Sequence, residues 1–334
     1  MVFFHHVCYT SISLHSSTPL VSFFYTLSIY GSHGVDIFFV LSGFLITSIL
    51  IGSKNSRRYY QDFYWKRVLR ILPLYMVCLI LLAIFFPEFR KYYLLAALFI
   101  VNFASVLHVP SFGPFWTLAI EEQFYIVWPT VVRRRSIAQI RNAALFLVMA
   151  AVLLRFLFAA FGHYNYYLTP LRCDGLAAGA MLACWWAIRP ESVRSTPREN
   201  KFIVSAAILG ILSIGFGYGP IPIAFNAAFT QTGVTLISAA LVAHMVSNRN
   251  APWLAWVRSR VLTFFGLISY AFYMIHMYVL SYWDRHSLLI TDRNGPYLAR
   301  FGAVLGIAVA LSIASRYIIE LPAQRLRKYV LPGA

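Results

Sequence analysis

Long apolar runs, each close to the length of a bilayer crossing, alternate along this chain with short polar breaks that carry most of its charge. A spanning helix needs about 20 largely apolar residues. Runs of that kind lie near 34–52, 71–87, 116–132, 141–161, 168–187, 202–219, 229–247, 261–283 and 296–320. A weaker run at 92–108 contains Asn102, Ser105 and His108, and a short apolar segment opens the chain. No polar stretch is long enough to fold alone in water. The pattern predicts an all-α, polytopic integral membrane protein.

Basic residues between the runs orient them. Lys54, Arg57, Arg58, Lys66, Arg67 and Arg70 precede the run at 71–87, and Arg133, Arg134, Arg135 and Arg141 follow the run at 116–132. Later clusters are Arg189, Arg194, Arg198 and Lys201, then Arg249, Arg258 and Arg260, then Arg325, Arg327 and Lys328. Cytoplasmic loops are enriched in Lys and Arg, so an even number of crossings should separate each pair of clusters. This holds throughout if 92–108 lies re-entrant or along the outer surface. The expectation is about ten spans with both termini cytoplasmic.

Composition agrees. Of 334 residues, 60% are hydrophobic and only 12% charged, against roughly a quarter charged in a soluble domain. Mean hydropathy is +0.69. Aromatics reach 17%, as suits rings at bilayer interfaces. The formal charge of +17 falls in clusters beside apolar helices, which favours membrane topology and anionic lipid over nucleic acid. Cys8, Cys78, Cys173 and Cys184 form no CxxC pair and lie in or beside apolar runs, so small buried side chains are expected, with neither disulfide framework nor metal site. The opening residues lack the basic region of a cleavable signal.

Ionisable residues inside spans are costly and mark candidate sites. By the orientation above, Asp36 begins its span at the outer side, Glu121 and Glu122 occupy the outer third of theirs, and Arg172, Asp174 and His276 also lie in outer halves. Arg67 and Arg70, three residues apart on one helical face, enter from the cytoplasm. Each has a structural alternative. Asp36 is equally explained as a helix-terminal acid, Arg172 with Asp174 as a buried ion pair, His276 as a packing histidine, and the two arginines as topology signals. The tandem His5–His6 and Glu121 sit at no convenient surface and are harder to explain in that way.

Several blocks then resemble one family. Gly34-Val-Asp-Ile-Phe-Phe-Val-Leu-Ser-Gly-Phe-Leu-Ile46, Arg67-Val-Leu-Arg-Ile-Leu-Pro-Leu-Tyr75 and Trp116-Thr-Leu-Ala-Ile-Glu-Glu-Gln-Phe-Tyr-Ile-Val-Trp-Pro129 look like motifs of the membrane acyltransferase-3 family. Arg172-Cys-Asp-Gly-Leu176, Ile268-Ser-Tyr-Ala-Phe-Tyr-Met-Ile-His276 and Glu320-Leu-Pro322 resemble its later motifs, in its order. The match covers nearly the whole chain. It implies a single transmembrane acyltransferase domain over 1–334, a ten-helix core, and transfer of an acyl group, commonly acetyl from acetyl-CoA, to hydroxyls of envelope polysaccharides, glycolipids or glycosylated metabolites. Residue by residue, it implies an essential histidine at His5 (with His6 the other candidate), an arginine pair at Arg67 and Arg70, and a membrane glutamate at Glu121. The family pattern begins with an LDxLRGIAA-like stretch before the histidine. Here Met1 falls just ahead of His5, so a start placed too late or a truncated gene is expected, and no esterase-like domain follows Glu320.

Acyl transfer from a thioester needs a base for the acceptor hydroxyl or a nucleophile to carry the acyl group, and histidine does either. His5 is the expected centre, with Glu121 or Asp36 orienting its ring. Arg67 and Arg70 are expected to hold the phosphates of the acyl-CoA donor, and Arg172, Trp116, Tyr125 and His276 are the substrate-binding candidates. A bacterial inner membrane location follows from the family. The rival class is a transporter or flippase with a His–carboxylate proton relay; no internal repeat of the kind transporters show is visible.

Overall fold

The computed structural model describes residues 1–11, 28–163, 165–188, 197–219, 222–286 and 297–331. Arg189 and Arg194, and the connecting stretches 12–27 and 287–296, lie outside the described residues. Those described form helices and turns with no strand. In chain order the helices are α1 (Val2–Ser11), α2 (Gly34–Gly52), α3 (Tyr59–Phe85), α4 (Arg90–Ala97), α5 (Phe115–Arg134), α6 (Ile137–Ala160), α7 (Thr169–Arg172) and α8 (Asp174–Ala187). Then come α9 (Pro197–Gly217), α10 (Ile223–Ser247), α11 (Arg260–His286), α12 (Tyr297–Ser315), a π-turn at Arg316–Glu320, α13 (Leu321–Arg325) and α14 (Arg327–Val330).

Among the described residues, 7 stretches are long and apolar enough to cross a membrane: Ser28–Gly52, Tyr59–Phe85, Ile137–Ala160, Asn200–Gly217, Phe225–Ser247, Arg260–His286 and Arg300–Val330. The chain is a multi-pass integral membrane protein. Three expected spans lie outside this set, the first being the opening segment, here the 10-residue α1. Helix α5 carries Glu121, Glu122, Arg133 and Arg134, and the run at 168–187 breaks at Cys173 into α7 and the 14-residue α8. At 1.5 Å per residue α8 reaches about 21 Å, short of a roughly 30 Å hydrocarbon core.

The exterior shows why lipid is the solvent. On α6, Phe146 and Leu153 are 70% and 60% exposed, while Arg155 on the opposite face is fully buried beside Ala144, Ala151 and Ala159. Apolar outside and polar inside inverts a soluble helix. Small residues then let backbones meet, as is common between membrane helices. A Cβ added to Gly43 would run into the carbonyl of Leu176, and one on Gly179 into that of Val40, so α2 and α8 cross almost in backbone contact. Gly210 and Gly233 do the same for α9 and α10.

Two packed groups result. One joins α2, α5, α6 and α8 through Phe39, Ile120, Trp128, Leu176 and Ala180. The other joins α3, α4, α5 and α11 through Leu74, Tyr75, Tyr92, Phe115 and Met274. Helix α5 belongs to both, and α1 seats Phe3 and Val7 against α11 and α12. The weak run at 92–108 folds back as α4 and a 3-10 turn. Its reversal puts Phe99 at φ 54°, a costly backbone for a bulky residue. Stacking of Phe99 on Tyr75 (4.7 Å, 17°) and a 2.7 Å bond from Gln123 to its carbonyl hold it there. Pro129 in α5 offers no N–H to the Tyr125 carbonyl, and Tyr64 Oη is shared between that carbonyl (3.3 Å) and the adjacent Ile126 carbonyl (3.0 Å).

Candidate active site

Helix α1 lies on the glycines that open α2: an added Cβ on Gly31 would meet the Met1 carbonyl at 2.7 Å and His5 Cβ at 3.1 Å. This brings the tandem histidines against the start of α2 and the middle of α11, where His6 meets His276. His5 Nδ1 lies 2.9 Å from the Ser28 carbonyl. A carbonyl only accepts, so the proton sits on Nδ1 and a neutral His5 carries its lone pair on Nε2. His276 Nδ1 donates to the Phe272 carbonyl (3.0 Å), leaving Nε2 to accept from His6 Nδ1 at 2.9 Å. By the same logic His6 also presents its lone pair at Nε2. The rings of His5 and His6 are 5.4 Å apart, and His276 stacks on His6 at 5.2 Å. His276 is therefore both a hydrogen-bonding partner of the histidine pair and a buried ring packed against Phe3 and Phe272.

A second cluster lies on α3, α5 and α2. Tyr125 Oη donates to Glu121 Oε1 (3.0 Å) and shares a short hydrogen bond with Ser42. The Arg67 guanidinium lies 3.7 Å above the Tyr125 ring and binds Glu122 Oε1 at 2.7 Å. Glu121 and Tyr125 are buried, so this cluster is shielded from bulk water. The expected layering, with donor arginines apart from the acids, is corrected here: Arg67 joins the acids, because its long side chain reaches across to α5. Arg70, one turn on, is exposed. The contact holding His5 Nδ1 comes from Ser28 rather than from Glu121 or Asp36.

A third cluster corrects another pairing. Arg172 and Asp174 do not pair with each other. Arg172 binds Asp36 Oδ1 at 2.8 Å, and Asp174 Oδ2 accepts from Arg155 at 2.8 Å. Asp36 also accepts from Gln231 (2.8 Å) and sits 3.3 Å from His33 Nδ1, so it is no simple helix cap. Thr235 adds a 2.9 Å bond to Asp174, and Arg155 reaches the Leu171 carbonyl (2.7 Å) and Thr232 (3.1 Å). These bonds join α2, α6, α7, α8 and α10. Above Arg172 stand Tyr166 (4.3 Å), Phe39 (5.6 Å) and Trp116 (5.8 Å). Trp116 begins α5, and the next residue, Thr117, shares a 2.9 Å bond with Tyr273, whose ring is 6.0 Å from His276.

Sequence reading passed over Arg155, although an arginine inside the apolar run 141–161 is the signal it uses elsewhere. Ser42, Gln231 and Tyr273 carry no such signal, because hydroxyls and amides are ordinary in spans. Glu320 was noticed only as part of a motif. The π-turn buries it, with Arg316 and Arg70 near enough to act on its charge. Among the described residues, no three His, Cys, Asp or Glu side chains are grouped to hold a metal.

A polytopic helical bundle with buried acids, guanidiniums and imidazoles defines a membrane protein with an internal reaction centre or pathway. The chain belongs to the acyltransferase-3 family: the family profile, described as an acyltransferase domain, matches residues 1–316. It is 29% identical over 330 residues to the peptidoglycan O-acetyltransferase OatA of Listeria monocytogenes, covering 88% of this chain and 51% of the relative. It is 29% identical over 289 residues to the putative peptidoglycan O-acetyltransferase YrhL of Bacillus subtilis (75% and 44%). With the O-acetyltransferase OatA of Staphylococcus aureus it shares 30% over 207 residues (54% and 34%). The chain thus spans about half or less of these relatives' length. No solved structure matches it.

Proposed function

We propose that this protein is a membrane O-acyltransferase that moves an acetyl group from an acyl-CoA donor to a hydroxyl of an envelope glycan, with peptidoglycan the first acceptor to test. The observation that carries the reading is the 2.9 Å contact between His5 Nδ1 and the Ser28 carbonyl. With Nδ1 so committed, the lone pair faces the other way on Nε2, as a general base requires. The base removes the acceptor proton as the hydroxyl oxygen attacks the thioester carbonyl. The carbon–sulfur bond then breaks, and the leaving thiolate receives that proton from the imidazolium formed at His5, which restores the neutral base and completes the turnover.

Glu121 and Arg67, coupled through Tyr125, are the groups proposed to stabilise charge during this step, with Asp36 and Arg172 framing the acceptor side. A polyphosphate donor needs accessible cations, and Arg70 with Lys66, both exposed at i and i+4 on α3, fits that need better than Arg67, which is bound to Glu122. A ten-crossing arrangement follows if α1, α5 and the α7–α8 unit are added to the seven long helices, with both ends cytoplasmic by the positive-inside rule. The inner membrane of a bacterium is the proposed location, as for a domain that modifies glycans outside the cell.

The test is reconstitution of the chain with acetyl-CoA and a peptidoglycan fragment. Release of free thiol that depends on both substrates, with an acetyl mass gained by the glycan, is the expected result. A transporter would move a solute and release no thiol, and that outcome would replace this proposal.

A further inference from the structure

We propose that Trp116 and Tyr166, whose rings pack on the Arg172 guanidinium, together with the adjoining Tyr167 form the subsite that seats a pyranose ring of the acceptor; this rests on the acyl-transfer reading above and names the part of the site that recognises sugar. The three rings meet edge-on. Trp116 lies 5.6 Å from Tyr166 at 63° and 5.2 Å from Tyr167 at 78°, and the two tyrosines are 5.5 Å apart at 88°. Rings arranged in this way make a corner whose faces do not cover one another. An aromatic face is the negative side of a quadrupole, and the polarised C–H bonds on the flat side of a pyranose pack against it while the hydroxyls stay at the rim. Tyr167 is 39% exposed, so the corner opens outward.

The corner is built rather than incidental. Asn165 Nδ2 donates to Ser105 (2.7 Å), and Asn165 Oδ1 accepts from the Tyr167 backbone (3.0 Å), which fixes the turn carrying both tyrosines. Below it, Thr169 donates to Gln123 (2.6 Å), and Asn102 and Gln123 are bonded at 2.8 Å. Trp and Tyr also gather at membrane interfaces as anchors; these three are instead packed edge to edge, with Trp116 and Tyr166 on a buried cation. The placement suits catalysis as well. Through Thr117 and Tyr273 the Trp116 end of α5 reaches toward His276 and His6, and through Arg172 it reaches Asp36 at the start of α2, the helix whose preceding turn carries Gly31 against His5. A sugar seated there lies between the two arms of the site.

The full chain in lipid nanodiscs is titrated with a β-1,4-linked N-acetylglucosamine oligomer, binding being followed by saturation-transfer NMR and calorimetry. Tyr167→Ala and Tyr166→Ala should each weaken binding about ten-fold, while Tyr167→Phe, which keeps the ring, should bind as the parent does. Monodispersity of each variant on size exclusion establishes that it is folded. In the transfer assay Tyr167→Ala should raise the KM for the glycan and leave the KM for the donor in place. Failure of the parent chain to bind the oligomer, or equal binding by the parent and folded alanine variants, overturns the subsite. Thiol release that persists with glycan KM unmoved by Tyr167→Ala also removes the subsite while leaving acyl transfer standing. Ring-dependent glycan binding without any thiol release has the opposite meaning: the subsite is supported and the transferase reading falls.

Discussion

Two buried charge clusters in this protein use similar side chains in opposite ways. Around α6, α8 and α10, Asp36 meets Arg172 and Asp174 meets Arg155, so two acids face two guanidiniums and the charge cancels. Across α3 and α5, Glu121 and Glu122 face the single Arg67, while the imidazoles of His5 and His6 form a separate group with His276. A balanced set costs desolvation but tolerates a dry interior, and it fixes the register of the helices that supply it. A set with more acceptors than cations retains capacity to take up a proton or a developing positive charge. The contrast teaches that burial of a charge does not by itself mark chemistry; its partners decide.

Breaking the balanced cluster should have the largest effect, and on folding. Arg155→Leu strands Asp174 and should cost about 3–5 kcal/mol of stability, read as loss of folded protein in a thermal unfolding series. Arg155→Leu combined with Asp174→Leu should recover much of that loss; an equally unstable double variant would refute the charge-balance account. At the histidines and at the Glu121–Tyr125–Arg67 cluster the effect should fall on rate. His5→Ala should lower acyl transfer by about 10²–10³-fold, roughly 3–4 kcal/mol, with folded yield unchanged.

Tyr125 separates the two ways in which Arg67 and Glu121 are linked. Tyr125→Phe keeps the ring beneath Arg67 and loses the hydroxyl, and turnover should drop about ten-fold. Tyr125→Leu removes both links and should drop it about a further ten-fold; identical rates for the two variants would mean the ring contact contributes nothing. The smallest effect is expected at Tyr64, whose hydroxyl serves the carbonyl left open by Pro129. Tyr64→Phe should lower stability by about 0.5–1.5 kcal/mol, checked by the shift in unfolding midpoint.

Much of the architecture was legible along the chain because lipid imposes a simple rule: apolar runs of bilayer length become helices, since their backbone groups have no other partner. The runs at 34–52, 141–161 and 261–283 correspond closely to α2, α6 and α11. The rule is less decisive where a helix packs among others: α5 buries Glu121 and α8 is only 14 residues long, and neighbouring helices cover much of both. Candidate site residues were visible for the related reason that ionisable groups in oil are rare and must be accommodated. Arg155 should have been found on that ground.

What the amino-acid order determined by itself is therefore which segments enter the bilayer, which polar groups go with them, and, through its motifs, the family. What tertiary structure alone decided is who meets whom: Arg172 with Asp36 rather than Asp174, Arg67 with Glu122, His6 with His276, and Trp116 and Tyr166 on the Arg172 guanidinium. Hydropathy is a property of each segment, summed over its own residues. Pairing depends on the rotation and depth of helices far apart in the chain, and these are set by contacts such as the backbone crossing at Gly43 and Gly179.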